Sequence, residues 1–166
     1  MSLKENWDAD LFAEEEDDED TQQDKFLTFV LHQEEYAIEI RYVTEIIGIQ
    51  NITGVPDMPI HIKGVINLRG KVIPVMDVRL RFGLEERVYD DRTCIVVICV
   101  DEHSVGLIVD NVSEVLDIPK ENIEPPPKGS SGESSRFIQG MGKVGEQVII
   151  ILNARELLFE LGQGEA

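Results

Sequence analysis

Few residue groups in this chain stand at the spacings that chemistry requires. Gly140-Met141-Gly142-Lys143-Val144-Gly145 has the G-x-G-x-x-G form of a dinucleotide loop. Such a loop needs a strand before it and a helix start after it, so that backbone amides and the helix dipole face the pyrophosphate. Val148–Leu152 comes next instead and reads as a strand, and the earlier counterpart Gly64-Val65-Ile66-Asn67-Leu68-Arg69 lacks the pattern. These glycines are expected at hairpin turns. His32, His61 and His103 are scattered over two turns and a loop with no Cys-x-x-Cys motif beside them, so no metal site is expected. Cys94 and Cys99 lie five apart in C-I-V-V-I-C-V. On a strand they point to opposite faces and share neither a disulfide nor a metal. No serine occupies a G-x-S-x-G elbow, and Asp90-Asp91 reads as a solvated pair in a polar turn. No catalytic residue and no cofactor is expected; the chain reads as a binding module.

The elements that would position a site come in two copies. At a shift of 69 positions, Ile38–Ile47 falls on Leu107–Leu116, and V-T-E-I becomes V-S-E-V. At a shift of 76, Ile62-Lys63-Gly64 falls on Ile138-Gln139-Gly140 and Lys71–Arg79 on Gln147–Arg155. The seven extra residues fit a loop insertion across Pro125–Ser135. Units of about 65 residues are too small for a generous core alone and are expected to pack on each other.

Within the first copy, Phe26–Leu31 and Tyr36–Ile38 read as strands about the polar turn His32-Gln33-Glu34-Glu35. From Ile40 the apolar positions Ile40, Val43 and Ile47 take a helical spacing, which leaves a short helix and a continued strand both open. Asn51–Pro59 is loop. Val65–Asn67 and Val72–Met76 are strands about Arg69-Gly70, and Asp77 can cap a short helix, Val78–Phe82, ended by Gly83. The second copy repeats the order: strands 93–100 and 105–109, a helical turn 110–116, strands 137–144 and 147–152, and a helix capped by Asn153 running to about Leu161. Short strands joined by polar turns read as small antiparallel barrels. The uninterrupted apolar runs C-I-V-V-I-C-V and V-I-I-I-L are expected to be covered on both faces.

The formal charge of −18 is unevenly spread. Residues 1–24 hold eleven acids against Lys4, a net of −10, and the other 142 residues carry −8. The first stretch is expected to be a disordered acidic tail that solubilises the chain or serves as an interaction arm. An acidic body without a basic run is a poor nucleic-acid or membrane-surface binder. No stretch approaches a membrane span and the N-terminus has no signal-peptide core, so direct insertion is not expected and a cytoplasmic location is. The domain reading is therefore a tail at 1–24, one barrel at 25–90 and a second at 91–166 with the closing helix, with strands free to exchange between them.

Ile62–Arg79, reading I-K-G-V-I-N-L-R-G-K-V-I-P-V-M-D-V-R, resembles the signature of the CheW family of bacterial chemotaxis adaptors. So do E-Y-A-I-E-I at 35–40, V-T-E-I at 43–46 and V-G-L-I-V-D-N-V at 105–112. The resemblance spans about residues 25–161, departing mainly at His61, where the family carries an aromatic. It implies a mainly β fold of two similar five-stranded SH3-like β-barrels packed together, with short helices. It also implies a non-catalytic, cofactor-free scaffold that joins chemoreceptor cytoplasmic tips to the regulatory domain of the histidine kinase CheA. Such a scaffold would be cytoplasmic and recruited to receptor arrays. A pilus or gliding-motility pathway is the alternative setting.

A receptor tip is a helical hairpin, and a groove between barrels suits a helix with apolar anchors and a polar rim. Ile40, Val43 and Ile46 are the anchors expected on that groove, with a core role as the plain alternative. Glu45 stands inside an apolar segment and can pair with a base. Arg69 sits at a hairpin turn where packing asks for no guanidinium, and its planar fork suits a carboxylate. The residues of the kinase interface are not legible in the sequence.

Overall fold

The computed structural model describes residues 23–127 and 133–165. The expected tail lies outside the described residues except for its last two positions. Among the described residues, eleven strands and two α-helices run in order: β1 (Lys25–Leu31), β2 (Glu34–Glu39), β3 (Val43–Gly48), β4 (Ile62–Leu68), β5 (Lys71–Asp77), α1 (Val78–Arg81), β6 (Cys94–Val100), β7 (His103–Val109), β8 (Asn111–Asp117), β9 (Ile123–Glu124), β10 (Ile138–Val144), β11 (Gln147–Leu152) and α2 (Ala154–Glu165). The turns at His32-Gln33, Arg69-Gly70 and Asp101-Glu102 hold both residues at positive φ, the turn geometry that matches strand twist. Asp77 caps α1 by accepting from Leu80 N–H, and Asn153 caps α2 by accepting from Glu156 N–H.

The strands form a six-stranded sheet in the order β8-β1-β2-β11-β10-β9 and a five-stranded sheet in the order β3-β6-β7-β5-β4. Neither ladder closes on itself, so the fold is mainly β, two open SH3-like barrels side by side. Strand membership crosses the 90/91 line: β1 and β2 pair with β8 and β11, while β6 and β7 pair with β3 and β5. The repeat carries this exchange faithfully. The five-stranded sheet joins the β6–β7 hairpin of the second copy to three strands of the first, and the six-stranded sheet joins the β1–β2 hairpin of the first copy to four strands of the second, each with one parallel contact, β5 with β7 and β11 with β2.

Three apolar clusters result. Ile66, Ile73, Val75, Ile95, Val97 and Ile108 fill the five-stranded barrel, and Phe26, Ala37, Ile118, Ile149 and Ile151 fill the six-stranded one. The third and largest lies between the sheets, joining Leu27, Phe29 and Leu31 to Cys94, Val96, Ile98 and Val100. Strand β6 therefore feeds two cores, one from each face, which is why its sequence shows no alternation. The second run is less covered: Val148 is exposed while Ile149 and Ile151 are buried.

Two readings need correction. The segment expected as a helical turn at 110–116 is strand β8, and the segment left open after Ile40 is a 3₁₀ turn, Ile40–Tyr42, followed by β3. In β3 the register shifts between Val43↔Ile98 and Glu45↔Val97; in β8 it shifts between Thr28↔Glu114 and Phe29↔Val112. Thr44 and Ser113 are thus the extra residues of equivalent β-bulges. A bulge breaks the two-residue alternation, so apolar side chains three apart face the same way without a helix. The second correction concerns the glycines of residues 140–145. Only Gly145 lies in a turn; Gly140 is at a bulge of β10, where a Cβ would come within 3.0 Å of the Glu124 carbonyl oxygen.

Candidate functional site

Arg69 is the first residue of the β4–β5 turn, with φ at +55° and its side chain 78 % exposed. Asn67 Oδ1 accepts from Gly70 N–H across that turn and fixes its shape. Glu45 comes directly after the Thr44 bulge on β3, and its side chain is only 14 % exposed. Arg69 Nη1 donates to Glu45 Oε2 at 2.7 Å. The two candidates that the sequence singled out separately are therefore partners.

Their strands are the two outer strands of the five-stranded sheet, β3 at one end and β4 at the other. The ion pair spans the seam that backbone hydrogen bonds leave open. The repeat shows whether the fold demands it. Glu45 corresponds to Glu114 and Arg69 to Gly145, so the six-stranded sheet has the acid but no arginine. There the Glu114 backbone exchanges hydrogen bonds with Thr28 Oγ1 instead. One barrel of the pair holds together without this clasp.

Ile40, Val43 and Ile46 are placed otherwise than expected. They are 6 %, 3 % and 3 % exposed and belong to the apolar cluster between the sheets. The bulge at Thr44 turns Val43 and Ile46 to the same side, inward. They line no free groove; they hold β3 in place, while Thr44 is exposed and Glu45 meets water in part. Near this strand's start, Arg41 is exposed, pairs with Glu39 and stacks its guanidinium over the Tyr42 ring at 4.7 Å.

A second polar group was not foreseen. Asp110 is 7 % exposed, and its carboxylate accepts from Arg79 Nε at 2.8 Å, His32 N–H at 3.0 Å and Arg87 Nη1 at 3.2 Å. Burial acts to raise the Asp110 pKa. The hydrogen bonds from Arg79 and His32, with the charges of Arg79 and Arg87, outweigh it and hold the carboxyl below its ordinary range. Just before α1, Asp77 Oδ2 accepts from Tyr89 O–H at 2.7 Å, and burial together with that bond raises the phenol well above its usual pKa. The one sequence signal was an acid standing between two apolar runs, L-I-V-D-N-V. Its partners lie 23, 31 and 78 positions away, beyond any local pattern.

Among the described residues no group of three or more His, Cys, Asp or Glu could hold a metal ion, and no helix is long and apolar enough to cross a membrane. Cys94 is buried and Cys99 half-buried, and neither is in a disulfide. The arrangement is built on ion pairs. What it offers is a mostly exposed guanidinium oriented by a partly buried carboxylate.

Comparison with known proteins is consistent with this picture. Residues 25–161 match the family described as CheW-like domain. The "Chemotaxis protein CheW" of Klebsiella aerogenes is 37% identical over 134 residues, 81% of each chain. That of Helicobacter pylori is 33% identical over 146 residues, covering 88% of this chain and 87% of the relative. Among solved structures, the scaffolding protein TtCheW from Thermoanaerobacter tengcongensis superposes with a TM-score of 0.73 at 38% identity, over 78% of this chain and 88% of that one.

Proposed function

The chain belongs to the CheW-like family of non-catalytic chemotaxis scaffolds, and from that premise we propose that it joins the cytoplasmic tips of chemoreceptors to the histidine kinase CheA. In this reading it resides in the cytoplasm and is recruited to membrane-associated receptor arrays. The receptor side is read by Arg69 and Glu45, with exposed Thr44 beside them and Ile40, Val43 and Ile46 as the packing that presents β3.

The observation that carries the site is the unequal repeat. The Glu45–Arg69 clasp closes one barrel, while the other barrel has Glu114 and Gly145 and no clasp. A pair that the fold does not require, at a turn where it costs little to keep or lose, is available to a partner. Glu45 holds the planar guanidinium in a defined direction, leaving donors for a carboxylate on the partner. The acidic body favours a partner surface that offers base as well as acid.

The test is to measure two affinities for Arg69→Ala, one for a receptor cytoplasmic fragment and one for the kinase regulatory domain. A charge-assisted contact buried in the complex costs about 2–5 kcal/mol when truncated, so receptor binding should fall at least about thirtyfold. Kinase binding should be retained, because a connector needs separate faces for its partners. Loss of both affinities with an unchanged melting curve would refute separate faces. Two unchanged affinities would reduce Arg69 to a turn residue.

A further inference from the structure

At Asp110 the chain passes within a single residue from β7 in the five-stranded sheet to β8 in the six-stranded one. The buried Asp110 carboxylate meets groups from three directions. His32 N–H comes from the β1–β2 turn of the six-stranded sheet. Arg79 comes from α1, which continues β5 of the five-stranded sheet, and it also donates to the Glu85 carbonyl oxygen. Arg87 comes from the connector between the copies and pairs with Asp90 as well. A single carboxylate thus gathers a turn of one sheet, a helix of the other and the chain between them.

The repeat again supplies an internal comparison. Arg79 corresponds to Arg155, and Asp110 to Arg41. Arg155 pairs with Asp101 of the β6–β7 turn at 2.6 Å, but the two side chains are 58 % and 71 % exposed. Arg41 is exposed at the other crossing between sheets and pairs with Glu39. Surface pairs hold geometry weakly because solvent competes and side-chain entropy opposes them. One crossing is locked by buried charge and the other is not.

We propose that Asp110 is a positioning residue that fixes the angle between the two sheets, and thereby the surface that partners of the adaptor read. The second clause rests on the function proposed above; the first does not. Apolar contact between the sheets favours burial without prescribing direction. Charge-assisted hydrogen bonds are directional, and those to Asp110 cross from one sheet to the other. Arg79 is 9 % exposed. Without the carboxylate its guanidinium is a buried charge that has to move towards water, and the turn, helix and connector lose their common anchor.

Residual dipolar couplings of backbone amides in the full chain test the orientation directly. In the parent protein the couplings of both sheets should fit one alignment tensor. Asp110→Asn keeps an acceptor for His32 N–H but removes the charge. Its two sheets should then need separate tensors while each sheet still fits by itself. Arg87→Gln, at the half-exposed edge of the group, should show the same separation to a smaller degree and covers the case in which Asp110→Asn fails to fold. Asp101→Asn, at the surface pair, should behave as the parent. One tensor in both Asp110→Asn and Arg87→Gln overturns the proposal. In the same variants, affinity for a receptor cytoplasmic fragment should fall by about threefold to thirtyfold, the range for residues that act through geometry. Changed orientation with unchanged affinity overturns the claim that partners read the angle. If the parent protein itself binds no receptor fragment, the adaptor reading fails, and the coupling data still decide the role of Asp110.

Discussion

Arg69 and Asp110 are both charged partners in ion pairs, yet water sets their values far apart. Arg69 is mostly exposed, so Arg69→Ala should lower stability by no more than about 0.5 kcal/mol, and thermal unfolding would check it. Asp110 is buried, and Asp110→Asn should cost about 3 kcal/mol near neutral pH, because it uncovers Arg79. The depressed carboxyl also sets the pH dependence. Its stabilising contribution is complete above the ordinary aspartate value of 3.8 and is lost as the pH falls below that value towards the folded pKa. Melting curves taken from pH 7 down to pH 3 should therefore show the gap between parent and Asp110→Asn closing in the acid range. A constant gap would mean that shape, not charge, holds the group. Glu45 and Arg69 could be singled out in the sequence because each is a charge where packing wants none. Asp110 was not, because the partners that give it a role come together only in three dimensions.

Strands and hairpin turns were legible because alternation, β-branched residues and turn residues act locally. Bulges were not. A single extra residue at Thr44 or Ser113 leaves an apolar spacing that imitates a helix, and only pairing with β6 or β1 reveals it. The same limit applies to Gly64, which the sequence offered as part of a motif. Its φ is +146°, and a Cβ there would lie 2.0 Å from the Thr53 carbonyl oxygen, where Thr53 and Val65 form a bridge. Gly64→Ala should cost about 3 kcal/mol or more, since backbone strain and a backbone clash add. Gly70, at +84° with open space around it, meets strain alone, so Gly70→Ala should cost about 1 kcal/mol. Chemical denaturation of the two variants gives the comparison. Equal losses would mean that the 51–54 loop yields to the new methyl group.

The repeat announced two related barrels, and the two sheets are related as the repeat requires. The copies in the sequence and the sheets in space are nevertheless out of phase. Strands β3 to β7 succeed one another along residues 43–109 and make the whole five-stranded sheet. The six-stranded sheet is assembled from the chain segments on either side of that stretch, β1 and β2 before it and β8 to β11 after it. No feature of the sequence marks residue 43 as a boundary, because the chain passes between sheets at Ile40–Tyr42 and at Asp110 with no loop to separate the strands on either side. A fragment 25–90 has the β1–β2 hairpin without β8 and β11, and β3 and β5 without β6 and β7. It should aggregate or give a poorly dispersed amide spectrum. A fragment 43–109 retains every strand of one sheet and should keep slowly exchanging amides in β6 and β7, although its inter-sheet face is uncovered. Protected amides in the first fragment and none in the second would reverse this account.

The out-of-phase arrangement has a consequence during synthesis. A chain emerging from the ribosome releases the strands of the five-stranded sheet consecutively, so that barrel can form while translation continues. The β1–β2 hairpin emerges first but must wait for β8 to β11, and at about 5–20 residues per second that delay lasts several seconds. Throughout it Leu27, Phe29 and Leu31, all buried in the finished protein, have only the nascent five-stranded sheet to lean on. The first two strands made are thus among the last completed, and a chaperone that engages the nascent chain would meet them there.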